Sequence, residues 1–339
     1  MKVIHRTNAG RTLCVVCPCY NEEEIIVKFY EKLKSVVSVL PNIRHSILFV
    51  DDGSTDSTLG LLNQIAKKDR HVLVYSFSRN FGQQAALTAG LNEARADAVI
   101  IMDSDLQHPP ELIPKMIDQW KEGAEVVSAV RLRTRDAGFM KRVSSRLFYW
   151  VFGKISDTRV LAGGGNYCLL SKRAQAALNS MPERQRFVRA LIEWVGFERR
   201  HVPYVADSRG GGKTKYSFNR MLSLSFDAIF SFSAEPIRLA YRLGFFIIAL
   251  CSLTLVYWLL RYFAYGEFMK GWVAVVASVF FLGGIQLIFI GILGEYLGRV
   301  FDQVKGRPHY LFRQVPGESK PFALDSRVAK FKASGTFLG

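Results

Sequence analysis

Three apolar runs in the first third of this 339-residue chain each end in acidic or amide side chains, and few folds tolerate that pattern. The first, TLCVVCPCYNEEE (Thr12–Glu24), stops at Tyr20-Asn21-Glu22. The second, HSILFVDDGSTDST (His45–Thr58), stops at Asp51 and Asp52, and the third, AVIIMDSDLQHPPE (Ala98–Glu111), at Asp103 and Asp105. Helical patterns lie between them, clearest over Glu23–Val39 and Ser54–Lys67. Strands that alternate with helices and end in polar groups predict an α/β domain on a mostly parallel sheet. Ligands bind such sheets outside the carboxyl ends of the strands.

The third run carries the sharpest chemistry. Alternation along a strand would point Asp103, Asp105 and Gln107 to one side. Two converging carboxylates repel unless something positive lies between them, and a hard cation such as Mg2+ or Mn2+, bridging to a diphosphate, would satisfy both. The competing reading is a solvated acidic turn. Tyr20 offers a ring face to a nucleobase, and Asp51 or Asp52 could accept from base N–H or ribose hydroxyl groups. Together these suggest a nucleotide-diphosphate site. No GxGxxG follows the first strand and no GxxxxGK[ST] occurs, which disfavours a dinucleotide fold or a P-loop.

A net charge of +16 beside 49% hydrophobic residues is unusual for a purely soluble enzyme. Leu243–Leu260 is 18 residues without a charge, and Gly271–Gly294 is 24 residues whose one strongly polar side chain is Gln286. At about 1.5 Å per residue both can cross a hydrocarbon core of about 30 Å, as a hairpin joined through Arg261–Lys270. Buried core helices are the alternative. Arg209, Lys213, Lys215, Arg220, Arg238 and Arg242 precede the hairpin, and Arg299, Lys305, Arg307 and Arg313 follow it. The positive-inside rule then predicts a multi-pass protein of the cytoplasmic membrane with both termini in the cytosol. The first residues, MKVIHRTNAGR, lack the apolar region of a cleaved signal. The expected organisation is a cytosolic catalytic domain over 1–220, an amphipathic juxtamembrane stretch over 221–242, a transmembrane hairpin over 243–294 (243–260 and 271–294), and a cytosolic basic tail over 295–339.

Two basic regions remain. RLRTRDAGFMKRVSSRLFYWVFGK (Arg131–Lys154) holds seven Lys/Arg against one Asp, with an apolar stripe at helical spacing. It reads as a helix on the membrane surface or over the site. SRGGGKTKYSFNRM (Ser208–Met221) is glycine-rich and carries Arg209, Lys213 and Lys215, which suit phosphate oxygens. Each could instead be a solvated basic face drawn to lipid. Cys14, Cys17, Cys19, Cys168 and Cys251 lack a second metal-ligand pair and read as small hydrophobes in a reducing compartment. A nucleic-acid binder would leave the carboxylate clusters unexplained, and the basic residues do not form an aromatic-interleaved groove. The glycines Gly283, Gly284, Gly291 and Gly294, with Gln286, predict close helix packing and a homo-oligomer, a tetramer among the options.

PCYNEEE, VDDGSTD, SRNFGQQAALTAGL (Ser78–Leu91), MDSDLQHPPELI, LNSMPERQRFVRALIEWVGF, RGGGKTKYSF and GGIQLIFIGILGEYLGRVFDQVKGRPHYL together resemble the polyprenyl-phosphate glycosyltransferases of family 2 over about residues 12–312. These are the bactoprenol glucosyltransferases and their dolichol-phosphate mannosyltransferase relatives. The resemblance implies a GT-A domain that moves one sugar from a nucleotide-sugar to a polyprenyl phosphate such as undecaprenyl phosphate, with inversion, for cell-envelope glycan modification. UDP-glucose is the donor it favours, GDP-mannose the alternative. It places Pro18, Tyr20, Glu22, Asp51 and Asp52 at the nucleotide, and Asp103, Asp105 and Gln107 at the metal and diphosphate. It places Arg131, Arg142 and Ser145 at the acceptor phosphate and Lys213 and Lys215 in the loop that closes over the site, to which the basic character of that loop adds Arg209 as a further phosphate group. Where relatives read Gly-Asp-Phe-Arg-Leu, this chain has Gly165-Asn166-Tyr167-Cys168-Leu169. Asn166, grouped with Asp103, Asp105 and Arg131 as the catalytic set, cannot accept a proton. A processive polysaccharide synthase would need more spans and a QxxRW motif, and Gln185 here leads into Arg-Phe-Val-Arg.

Overall fold

A computed structural model describes residues 10–131, 164–183, 186–205, 235–265 and 271–316. Contacts divide it into two compact units, one holding an eight-stranded sheet and the other two long helices.

In the first unit the chain alternates as expected: β1 (Arg11–Cys19), α1 (Ile26–Val37), β2 (Ile43–Asp51), α2 (Thr58–Lys68), β3 (Val72–Phe77), α3 (Gln83–Glu93) and β4 (Ala98–Ile101). A 3-10 turn, Pro110–Leu112, runs into α4 (Ile113–Lys121), followed by β5 (Val126–Arg131), β6 (Gly164–Ser171), α5 (Lys172–Asn179), α6 (Val188–Trp194) and β7 (Arg199–Tyr204). A last strand, β8 (Phe312–Gln314), completes the sheet in the order β7-β5-β6-β4-β1-β2-β3-β8. The pairs β1/β2, β1/β4, β2/β3 and β5/β7 are parallel; β6 runs antiparallel to β4 and β5, and β8 antiparallel to β3.

The central strands are continuous apolar runs because both faces are covered. Leu13–Cys17, Ile47–Val50 and Ala98–Met102 are almost fully buried. On one face α3 lies so close that a Cβ at Gly90 would stand 2.2 Å from Val16 Cγ1. The buried amide of Gln175 in α5 donates to the carbonyls of Leu91 (2.6 Å) and Ala94 (2.9 Å), satisfying the C-terminal end of α3. Cys14, Cys17, Cys19 and Cys168 are buried free thiols, and burial pushes Cys14 up to about 11 and Cys168 up to about 12, so they stay protonated.

The chain winds β1→β2→β3 in one direction and then crosses back to place β4 on the other side of β1. The crevice between the carboxyl ends of β1 and β4 is therefore the switch point at which such sheets bind ligands.

The stretch after residue 294 departs from a simple tail. Its β8 pairs Phe312 with Phe77 and Gln314 with Ser76. Tyr310 stacks on Phe77 at 5.1 Å, and Asn63 and Gln314 exchange amide hydrogen bonds of 3.3 and 2.7 Å.

In the second unit the charge-free segments lie within two longer helices, α7 (Glu235–Tyr265) and α8 (Trp272–Val304), which contact each other. Among the described residues, one helix is long and apolar enough to cross a membrane: Ser278–Val304, 27 residues with mean hydropathy 1.8 and no buried share. A shorter apolar stretch, Arg242–Thr254, lies in α7.

At the opposite end of the sheet from the crevice, Asp69 ties α1 to the α2–β3 turn. Its carboxylate accepts from Tyr30 Oη (2.8 Å), the His71 N–H (3.0 Å) and Lys34 Nζ (3.0 Å). Burial alone would raise its pKa, but these donors hold it well below the usual carboxylate range. A depressed carboxylate stabilises the fold above its unfolded value of about 4 and loses that contribution as pH falls through its folded one. Asp69→Asn is expected to cost about 1–3 kcal/mol at pH 7, shrinking as the buffer is taken well below pH 4. Urea melts across that pH series check it, and a loss independent of pH counts against the charge.

Candidate active site

The site is built from the loops leaving β1, β2 and β4, the last residues of β5 and β7, and the start of β6 and of α3. The β1 and β2 loops are laced to each other. Asn21, with φ of +52°, donates its N–H to Ser54 Oγ (3.0 Å), and its Oδ1 accepts from Thr55 N–H (2.9 Å). The Glu22 N–H donates to Thr58 Oγ1 (2.8 Å), and Glu23 accepts from Ser57 N–H (2.9 Å). Tyr20 is left 37% exposed at the mouth of this pair.

Asp51 and Asp52 face inward. Asp51, fully buried, accepts from Ser76 Oγ (2.8 Å) and Ser54 N–H (3.2 Å). Asp52 accepts from the N–H groups of Phe81 (2.7 Å) and Gly82 (3.0 Å), so it holds the chain that starts α3. Burial raises the pKa of Asp52, those two N–H groups oppose the rise, and Asp51 adds to it. Gly53, the next residue, has φ of +69°, and a Cβ there would lie 2.4 Å from the backbone carbon of Arg79.

Strand alternation does not position the Asp103 group. β4 ends at Ile101, and Asp103, Asp105 and Gln107 lie in the loop beyond it, with Leu106 at φ +63°. The last rung is the Met102 N–H to the Val16 carbonyl (3.0 Å). The next β1 residue facing that side is Pro18, which has no N–H to donate, and its carbonyl accepts from Ser104 Oγ (3.1 Å) instead. Pro18 thus frees the chain to form a loop. Within it, Asp105 accepts from the Gln107 N–H (3.0 Å), and Gln107 Oε1 accepts from Arg131 Nη2 at 3.5 Å.

Asp103 is surrounded. Gln83 Nε2 donates to its Oδ1 at 2.8 Å, and the Asn166 side chain also donates to its carboxylate. Its N–H is given to His108 Nδ1 at 3.0 Å, while His108 Nε2 stands 3.8 Å from Oδ2. Burial raises its pKa, His108 lowers it, Asp105 raises it, and the two amides favour the ionised form. His108 stacks on Tyr167 at 5.0 Å, and Tyr204 meets both rings edge-on at 6.5 and 6.3 Å. Burial raises the pKa of Tyr204, and Arg131 pulls it back.

The structure thus brings Asp103, Asp105, Gln107, Arg131 and Asn166 together, with Pro18 beside the loop, and sets Tyr20, Glu22, Asp51 and Asp52 around the neighbouring strand ends. Arg142, Ser145, Arg209, Lys213 and Lys215 lie outside the described residues. Gln83, His108 and Tyr204 escaped the sequence reading. Gln83 and His108 both stand in quoted motifs, as the first residue of α3 and one residue after Gln107, and that location was the available signal.

Among the described residues no three His, Cys, Asp or Glu side chains group to hold a metal ion. Two carboxylates with an amide oxygen nearby fit a hard cation that takes its remaining ligands from diphosphate and water. They do not fit zinc.

The sequence model of Glycosyl transferase family 2 matches residues 14–174. The uncharacterized glycosyltransferase YkcC of Bacillus subtilis is 36% identical over 93% of this chain and 98% of its own. The bactoprenol glucosyl transferase of Shigella phage SfII is 36% identical over 89% of this chain and 97% of its own. Among solved structures, glucosyl-3-phosphoglycerate synthase from Mycobacterium tuberculosis, in complex with Mg2+ and uridine-diphosphate, is 21% identical over 66% of this chain and 78% of that one. Its TM-score is 0.46.

Proposed function

The chain belongs to glycosyltransferase family 2, and on that premise we propose that it moves one glucose from UDP-glucose to a polyprenyl phosphate, with inversion at the anomeric carbon. The observation that carries this is the loop at the β1/β4 switch point, where Asp103, Asp105 and Gln107 meet Arg131. The bactoprenol glucosyl transferase relatives, similar over nearly their whole length, support the lipid acceptor and the sugar.

A lipid phosphate oxygen forms the new bond to the anomeric carbon. The bond from that carbon to the diphosphate breaks, and its electron pair leaves with UDP. The second pKa of a phosphate monoester is about 6, so the nucleophile is already deprotonated at pH 7 and needs no base. Asn166, which cannot be one, is compatible with that. A divalent cation, Mg2+ or Mn2+, held by Asp103 and Asp105 would neutralise charge on the departing diphosphate. Tyr20 offers its ring to the base, while Glu22, Asp51 and Asp52 shape the nucleotide side. Arg131, with Arg142, Ser145, Arg209, Lys213 and Lys215, grips the acceptor phosphate. We place α7 and α8 as a transmembrane hairpin of the cytoplasmic membrane with both termini cytosolic, and the glycines of α8 as the contact of a homo-oligomer.

The test is transfer by the detergent-solubilised protein from labelled UDP-glucose or GDP-mannose to undecaprenyl phosphate, read by thin-layer chromatography with and without Mn2+. Product from GDP-mannose alone overturns the sugar, and none from either overturns the activity. Arg131→Lys keeps the charge but loses the planar two-pronged grip on phosphate. Lipid-dependent kcat/KM is expected to fall about 10- to 100-fold, with calorimetric UDP binding unchanged. Loss of UDP binding with the lipid dependence intact would put the acceptor elsewhere.

A further inference from the structure

Asp103 is approached by two side-chain amides from separate elements: Gln83, the first residue of α3, and Asn166, near the start of β6. Building on the functional reading above, we propose that Gln83 and Asn166 form a clamp that fixes the Asp103 carboxylate for the cation and diphosphate, and that Asn166 is a positioning residue.

A primary amide cannot take up a proton at neutral pH, and it is a weak neutral ligand. What it brings to a carboxylate is a directed N–H. Asp103 sits in a loop that has left its strand, so no ladder holds its backbone beyond the Met102 rung. Asp105 stands nearby with the same charge and pushes against it. Left alone, such a carboxylate would swing toward water. Donors from two sides restrict it, and His108 takes the Asp103 N–H from behind. His108 is itself fixed by its stack on Tyr167, the residue after Asn166, and Tyr167 Oη donates to the Pro109 carbonyl at 2.9 Å. Strand β6 thus locks the loop twice, through adjacent residues on its two faces.

Gln84, next to Gln83, provides the contrast. Its Oε1 accepts from the Val188 N–H at 2.9 Å, joining α3 to α6 without touching Asp103. The two glutamines therefore separate support of the carboxylate from support of the fold.

The experiment uses the full chain in detergent, stripped of metal, with Mn2+ titrated against both melting temperature and transfer rate. Asn166→Ala and Gln83→Met are expected to raise the Mn2+ concentration at half-effect about tenfold each, the size usual for residues that orient a metal ligand. Their metal-free melting temperatures should move little. Asn166→Asp exchanges a donor for a third negative charge, so its metal-free form should melt lower and gain more from Mn2+ than the unaltered protein does. Gln84→Leu should lower the metal-free melting temperature while leaving the Mn2+ half-point in place. If Asn166→Ala and Gln83→Met behave as Gln84→Leu does, the amides serve packing and the clamp is overturned. Faster turnover in Asn166→Asp with a new acidic limb in its pH profile would overturn it too, marking position 166 as a place for a base. A Mn2+ response absent from the unaltered protein removes the functional reading and the clamp together. A normal response that the variants leave untouched removes the clamp alone.

Discussion

Replacing Asp103 or Asp105 by alanine is expected to lower sugar transfer about 10³-fold or more, the scale on which charge stabilisation at a departing group acts. Neither variant should lose much stability. Removing Asp103 leaves the exposed Gln83 amide to water and takes one partner from the half-buried Asn166, at about 1 kcal/mol. Asp105 accepts from the half-buried Gln107 N–H two residues on, a local turn whose loss also costs about 1 kcal/mol. Asp103→Asn retains an acceptor oxygen and separates charge from packing. Transfer assays at saturating Mn2+, paired with circular-dichroism melts, measure both effects. Turnover near that of the unaltered protein in a folded Asp105→Ala sample would remove the metal assignment.

Gly53→Ala is expected to be the most damaging single-methyl change in the sheet domain. Its φ of +69° already disfavours any side chain, and the new Cβ would meet the Arg79 carbonyl carbon at 2.4 Å, the Arg79 oxygen at 2.8 Å and the Asn80 nitrogen at 2.8 Å. All three are backbone atoms, so no rotamer change relieves the contact. Strain and displaced chain together put the loss at about 3–5 kcal/mol, or a fall of roughly 10 °C in Tm for a domain of this size. The damage also reaches the chemistry. Asp52, the residue before, holds Phe81 and Gly82, and Gln83 follows them to Asp103. A melt within 2 °C of the unaltered protein would show that the 79–82 turn yields easily.

Much of this was legible because buried parallel strands write themselves as unbroken apolar runs. The runs ending at Cys19, Asp51 and Ile101 disclosed three adjacent strands and the side of the sheet where polar groups gather. Strand alternation, the reason the sequence offered for placing Asp103, does not hold, since a proline in the neighbouring strand ends the ladder before the acidic residues begin. That clue stood in the sequence at Pro18, but it acts across the sheet and cannot be used until the neighbour is known. Asp51 and Asp52 read in the sequence as acceptors for base N–H or ribose hydroxyl groups, and the protein donors that each also takes, Ser76 and the Phe81 N–H, come from elements the local sequence does not name. The amides around Asp103 were harder still. Gln83 and Asn166 lie 20 residues before it and 63 after it, and nothing local marks either as its partner. The antiparallel β6 lies between β4 and β5, and its pairing depends on both.

Strand β8 has a consequence for how the protein is made. Its partner β3 is complete by residue 77, but residues 312–314 emerge only after both long helices have been synthesised. Through that interval β3 offers an unpaired edge to the crowded surroundings of the ribosome, the kind of edge that recruits strands from other chains. Closing it brings together residues about 240 positions apart, a slow step by contact order. Nascent copies of this enzyme should therefore be most prone to aggregate late in translation, just before the final strand arrives to seal the sheet.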